Sequence, residues 1–382
     1  MNLVRLTLLA IFALVGIAGA EFQVPTESEV PGASDAVKSA LSDLNKKDSA
    51  RAVQTLRAAA EKNDGGAQFV LALCLHYGEG VAASTEQALV WYQKAAEQGM
   101  PEAMLYLGRL YETDDRGVQD FGRALRYYRK AEKLRAPEAR LRLGFMYANG
   151  TGVEKNAERA FFYFKKGAEQ NHPPCIFQVG HSYANGIGIE KDDARALEWY
   201  RKAGDAGYPA GLYHIGLMHQ QGLAGLKKNP AEGAKFIRLA GVGGFAQAQN
   251  MIGMWYRQGD GVPHDDVAAS AWFGRAAQAG YPAAMVNLGV MYERGEGFAL
   301  DYSAAGRLYQ GAARQRHFVA IYFLARLLEN GLGTAPDPVG AYVLYSQASA
   351  SHPPSAVARD ALEAKLSALQ LAQAKVTLSE NK

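Results

Sequence analysis

Two patterns of apolar and polar residues alternate along this chain and recur together every 36 positions. In the first, apolar and small residues such as Leu143, Gly144 and Tyr147 fall at i, i+1 and i+4, on one side of an α-helix. In the second, a residue of the helix-capping type precedes another helical stretch. Its positions are Ser84, Asp120, Asn156, Asp192, Asn229, Asp265, Asp301 and Asp337, spaced by 36 except for one step of 37. About two turns after each cap comes a pair of large apolar residues. The pairs are Trp91-Tyr92, Tyr127-Tyr128, Tyr163-Phe164, Trp199-Tyr200, Phe236-Ile237, Trp272-Phe273, Leu308-Tyr309 and Leu344-Tyr345. Two features held in phase over eight cycles imply stacked helical hairpins. Such arrays present long surfaces and seldom build catalytic pockets.

Residues 137–171 show how one unit works. Pro137 suits the first turn of a helix, where its missing N–H costs nothing; Pro101, Pro173, Pro209 and Pro282 repeat it. Gly144 recurs as Gly108, Gly180, Gly216, Gly253 and Gly289. A mid-helix glycine costs about 1 kcal/mol relative to alanine, so its repetition implies close approach of the second helix. Gly150-Thr151-Gly152 ends the first helix, and Asn156 caps the second. The one extra residue falls in the 222–229 stretch, where a loop accepts it. Truncating Trp199 or Trp272 to Ala should cost about 3–5 kcal/mol if those side chains are buried.

The ends are read differently. Residues 33–65 align with the repeat, with Asp48 at the cap phase and Thr55-Leu56 at the aromatic pair. They read as a degenerate N-terminal capping repeat before eight repeats over 66–350. Residues 351–382 read as a capping tail containing one amphipathic helix from Ser355 to Leu378, with Val357, Leu362, Leu366 and Leu369 near one side. Residues 21–32 read as a mobile leader. Met1–Arg5, the apolar run Leu6–Ala18 and the small residues Ala18-Gly19-Ala20 form the pattern of a secretory signal cleaved after Ala20.

Composition narrows the function classes. Net charge is +3 and charged residues are 21% with the signs mixed, so no basic block points to nucleic acid. Cys74 and Cys175 fall in different units, beyond expected disulfide reach, and read as buried small residues. No cofactor loop, Walker element or nucleophile elbow occurs, and the histidines show no metal-ligand spacing. The acidic pairs Asp192/Asp193 and Asp265/Asp266 sit at helix starts, where they cap and favour the dipole.

The segments MLYLGRLY, RLGFMYANGTGV, ALEWYRKAGDAG and SAWFGRAAQAG resemble the Sel-one-like repeat, a branch of the tetratricopeptide superfamily. The resemblance covers about residues 66–350. It implies an all-α, right-handed α-solenoid that acts as an adaptor in complex assembly, with secreted bacterial members working in the envelope or at the host interface. The cysteine pattern of the disulfide-bonded branch is missing, which puts the β-lactam binding linked to that branch in doubt.

The resemblance also implies that the first helix of each hairpin lines a binding surface. On those helices Phe145, Phe177, His181, Tyr213, Leu217, Asn250 and Met254 are the candidate partner-binding residues. They would form a groove for an apolar peptide or an amphipathic partner helix. The competing reading packs the same side chains against neighbouring repeats. The sequence thus reads as an exported, non-enzymatic scaffold for envelope proteins in the periplasm. Any membrane attachment would run through an uncleaved signal or through those partners. A secreted host-interaction factor and a glycan- or muropeptide-binding protein are the alternatives.

Overall fold

A computed structural model describes residues 22–26, 29–30, 32–113 and 118–380. The expected signal segment and its cleavage point lie outside the described residues. Among the described residues all regular secondary structure is helical, and no helix is long and apolar enough to cross a membrane. The chain divides into two compact units, ending at Tyr208 and beginning at Pro209.

The first unit contains α1 (Asp35–Asn45), α2 (Ser49–Glu61), α3 (Gly65–Tyr77), α4 (Thr85–Glu97), α5 (Pro101–Glu112), α6 (Phe121–Lys133), α7 (Pro137–Asn149), α8 (Ala157–Ala168), α9 (Pro173–Asn185) and α10 (Asp193–Asp205). The second contains α11 (Pro209–Gln221), α12 (Pro230–Val242), α13 (Ala246–Gln258), α14 (Asp266–Gln278), α15 (Pro282–Arg294), α16 (Tyr302–Arg314), α17 (Phe318–Asn330), α18 (Pro338–Ala348), α19 (Pro353–Glu363) and α20 (Ala368–Glu380). Within each unit, helices adjacent in sequence pack together, except that α19 and α20 both pack on α18, and the two helices of a hairpin share the most extensive contact.

All eight cap residues work as the sequence implies. Each side-chain oxygen accepts the backbone N–H three residues on, as from Arg123 to Asp120 at 2.8 Å. A second contact explains why their phase is so strict. The cap residue's own N–H donates to a carbonyl near the end of the preceding helix, as from Asn156 to Tyr147 at 2.8 Å. One residue thus starts the second helix and satisfies an orphan carbonyl of the first. The extra residue near 222–229 is absorbed in the loop between His219 O and Asn229 N, where Ala224 and Gly225 have positive φ. Asp48 differs from the other caps: its side chain makes no capping bond.

The repeated mid-helix glycine meets the second aromatic of its hairpin. A Cβ added at Gly108, Gly144, Gly253 or Gly289 would overlap the ring of Tyr128, Phe164, Phe273 or Tyr309, respectively. Within each pair the second residue is buried, as Tyr200 at 1% exposure shows, whereas the first, such as Trp199, is half-buried. The expected large truncation cost therefore belongs to Tyr200 and Phe273 and not to Trp199 and Trp272.

Two terminal readings are corrected. The leader read as mobile packs onto the first unit: Val30 is fully buried, and the Phe22 ring lies 6.0 Å from Tyr77. Apolar side chains hold it in spite of Pro25. The single helix expected from Ser355 to Leu378 is two helices, α19 and α20. Ser367 and Gln370 form a reciprocal capping box, with Ser367 N donating to Gln370 Oε1 at 2.9 Å and Gln370 N to Ser367 Oγ at 3.3 Å. That box starts a new helix. The turn leaves Val357 and Leu369 exposed, while Leu362 is buried.

Candidate functional site

The first helices carry a face defined by its register to the repeated glycine. The residues two before and one after it are half-buried throughout both units. In the first unit this face contains Tyr106 and Arg109, Arg142 and Phe145, and Gln178 and His181. In the second it contains His214 and Leu217, Met251 and Met254, and Asn287 and Val290. Residues three apart on a helix are neighbours, so each helix contributes one adjacent pair.

Four of the seven sequence candidates lie on this face: Phe145, His181, Leu217 and Met254. The other three, Phe177, Tyr213 and Asn250, lie three residues before the repeated glycine, outside this face. Phe177 is buried, with its ring 5.6 Å from Tyr200 and 5.4 Å from Tyr208. Tyr213 is half-buried against Phe245 at 5.1 Å. Asn250 accepts a hydrogen bond from Asn287 Nδ2 at 2.9 Å. Phe145 packs edge-on against Phe164 at 5.3 Å, and Met254 packs against the core around Phe273. Phe177 and His181 come together at 6.2 Å.

Arg142, Gln178, His214, Met251 and Asn287 were missed. Their signal is that this phase is mostly polar between apolar neighbours, as an open position on a packed helix should be. Its electrostatics are mostly local. Arg142 Nε donates to Glu138 Oε1 at 2.9 Å, and Arg109 lies 5.3 Å from the Tyr106 ring. Burial pushes the Tyr106 phenol up to about 12, against the opposing charge of Arg109. Burial likewise lowers His181, favouring its neutral form.

A Cys–His–Glu constellation also went unread in the sequence. His172 Nδ1 lies 3.2 Å from Cys175 Sγ, and His172 Nε2 lies 3.6 Å from Glu138 Oε2. Nucleophilic chemistry would need a thiolate reachable by substrate. Cys175 is fully buried, burial drives its thiol pKa up, and burial lowers that of His172. Both groups are thereby kept neutral, and the arrangement satisfies buried polar atoms. Cys74 is also buried, with its thiol pushed up to about 12 by burial and Glu79. Among the described residues no cluster of His, Cys, Asp or Glu could hold a metal ion.

No curated protein matches this chain. Among solved structures, a Sel1 repeat protein from Oxalobacter formigenes is 29% identical over 66% of this chain and 100% of its own, with a TM-score of 0.55. A protective antigen of uropathogenic Escherichia coli strains displaying an SLR fold is 26% identical over 87% of this chain and 79% of its own, with a TM-score of 0.48. An immunity protein from Pseudomonas aeruginosa is 25% identical over 56% of this chain and 80% of its own, with a TM-score of 0.43. The family model for the Sel1 repeat matches residues 66–100, 101–134, 137–172, 173–208, 209–241, 246–281, 282–317 and 319–352. Those matches span most of the chain and coincide with the eight capped hairpins, and the chain therefore belongs to the Sel1 repeat family.

Proposed function

We propose that this protein is a non-enzymatic adaptor of the bacterial envelope that holds protein partners on the open faces of its first helices. The carrying observation is the half-buried face beside the repeated glycines: in the first unit Phe145 lies next to Arg142, and in the second Leu217, Met251 and Met254 lie among His214 and Asn287. Apolar anchors among hydrogen-bonding groups suit a partner helix or an extended segment. Sel1 repeat solenoids are generally scaffold-like, which supports protein partners. The apolar run Leu6–Ala18 followed by Ala18-Gly19-Ala20 supports export to the envelope.

The test is photo-crosslinking in living cells with probes at Arg142, Phe145, Met251 and Met254, read by mass spectrometry. One recurrent envelope protein is the expected product. Finding the folded chain in the cytoplasm would remove the envelope assignment. An exported, folded chain that yields no protein adduct from any of the four sites would remove the adaptor surface.

A further inference from the structure

For a chain of net charge +3, one helix is conspicuously basic. Helix α6 carries Arg123, Arg126, Arg129, Lys130 and Lys133 against a single acid, Glu132. The five cations are exposed. Glu132 is engaged by Arg140 at 3.3 Å, and Arg123 pairs with Asp120 at 3.2 Å. The other four make no ion pair among the described residues.

These cations border two similar clamps on successive hairpins. In the first, the rings of Tyr111 and Tyr127 stack at 5.9 Å and 4°. The Arg123 guanidinium lies 5.3 Å from the Tyr111 ring and donates to its phenol oxygen at 3.5 Å, while Lys130 lies 5.4 Å from the Tyr127 ring. Together with Gln93 and Arg126 they line a cleft of about 410 Å³. One repeat later Tyr147 and Tyr163 stack at 5.6 Å and 11°. Arg129 of α6 and Arg159 of α8 donate to the Tyr147 phenol oxygen at 3.1 and 3.5 Å. Burial pushes the Tyr147 phenol up, yet these two arginines outweigh it and hold it below the ordinary tyrosine value.

We propose that this face of the first unit binds an acidic polypeptide segment, with one carboxylate set at each tyrosine–arginine clamp. Guanidinium groups take carboxylates through paired, charge-assisted hydrogen bonds. Gln93 and the phenol oxygens offer neutral partners for the segment's amides. Successive hairpins stack about 10 Å apart, and three residues of extended chain also span about 10 Å. A segment with an acid at every third position would therefore stay in register with both clamps. Among the second helices of the first unit, the excess of cations over acids is largest on α6 and next largest on its neighbour α8. Helix α4 sets Lys94 against Glu86 and Glu97, and α10 balances Arg195, Arg201 and Lys202 with Asp193, Glu198 and Asp205. The basic patch is thus too short to track a long polyanion such as nucleic acid.

The test uses the full chain and a fluorescent Gly/Ser peptide carrying Asp at every third position, read by anisotropy. Wild-type protein should bind the peptide. The double variant Arg126→Gln with Arg129→Gln should bind it roughly tenfold more weakly, about 1.4 kcal/mol, with an unchanged thermal unfolding curve. The control Arg307→Gln with Arg314→Gln, which removes two exposed cations from α16, should bind as the wild type does. Four results would overturn the proposal: no binding by the wild type, unchanged binding by the α6 variant, an equal loss in the control, or equal affinity for a peptide whose Asp residues form one block. Tighter binding of polygalacturonate or a single-stranded oligonucleotide would also overturn it, assigning the face to another polyanion.

Discussion

Gly144 of α7 lies directly under the ring of Phe164 in α8, so close that a single added methyl would overlap the ring edge. The contact spans the two helices of one hairpin and sets how near they approach. Alanine would favour the α7 helix by about 1 kcal/mol, but the overlap forces the ring or the backbone to move. Overpacking of this kind costs about 1–3 kcal/mol. Gly144→Ala should therefore lower the urea midpoint. Gly274→Ala is the matched control: it sits inside α14 with nothing within 4 Å of an added Cβ, and should raise stability. Stabilisation by both substitutions would show that the close approach is not a constraint.

The caps give a second pair with unequal outcomes. Asp192 accepts the Arg195 N–H at 2.9 Å, whereas Asp48 stands at the same phase without a capping bond. Asp192→Ala should cost about 1 kcal/mol. Asp48→Ala should cost clearly less, since only its weak influence on the helix dipole is lost. Chemical denaturation of the two variants separates them. Equal costs would mean that charge at the helix start, and not the hydrogen bond, carries the effect.

Adjacent aromatic residues should also behave differently. Tyr200 is 1% exposed and faces Gly180. Trp199 is half-buried and covered by Lys202, whose Nζ lies 4.3 Å from the indole ring. Tyr200→Ala opens a cavity in the hairpin and should cost about 3–5 kcal/mol. Trp199→Ala removes partly solvated surface and should cost about half as much or less. The ratio of the two losses, measured by urea unfolding, checks the helix register directly.

The fold was legible because each repeated residue has a definite physical task that the sequence states many times over, eight for the cap and the large apolar pair and six for the glycine. The cap, the glycine and the aromatic pair all fall in phase, and the structure gives each its expected place. What sequence phase did not distinguish was a small rotation around the first helix. Phe177 and Phe145 both read as stripe residues, yet Phe177 is buried against Tyr200 while Phe145 lies beside Arg142 at the edge of the open face. Positions three before and one after the glycine differ by only about 40° around the helix, which is finer than an apolar count resolves. The Glu138–His172–Cys175 cluster was invisible for another reason: Glu138 comes from a different hairpin, and only packing brings it to the imidazole. The α19–α20 break was written in Ser367 and Gln370, but a continuous apolar pattern masked that capping box.

The buried tyrosines make stability depend on alkaline pH. Burial raises the phenols of Tyr128 and Tyr345 above the ordinary value of 10.0, and the carboxylates that accept their hydrogen bonds, Glu112 at 2.6 Å and Glu329 at 3.0 Å, push in the same direction. Burial does the same at Tyr92, Tyr200 and Tyr309. The folded state therefore holds these protons more tightly than the unfolded chain. By linkage, the stabilisation is complete below the unfolded value near 10 and is lost as pH rises through the higher folded values. Tyr147, lowered by Arg129 and Arg159, acts in the opposite sense, but it is one group against these five and further raised phenols such as Tyr106 and Tyr208. The urea midpoint should accordingly fall steadily above pH 10, and absorbance at the phenolate band should show more tyrosines titrating near 10 in urea than in the native state. Tyr128→Phe should flatten the alkaline decline, because it removes a proton that the folded state retains. An unchanged slope in that variant would mean that the Tyr128 phenol does not contribute to alkaline unfolding.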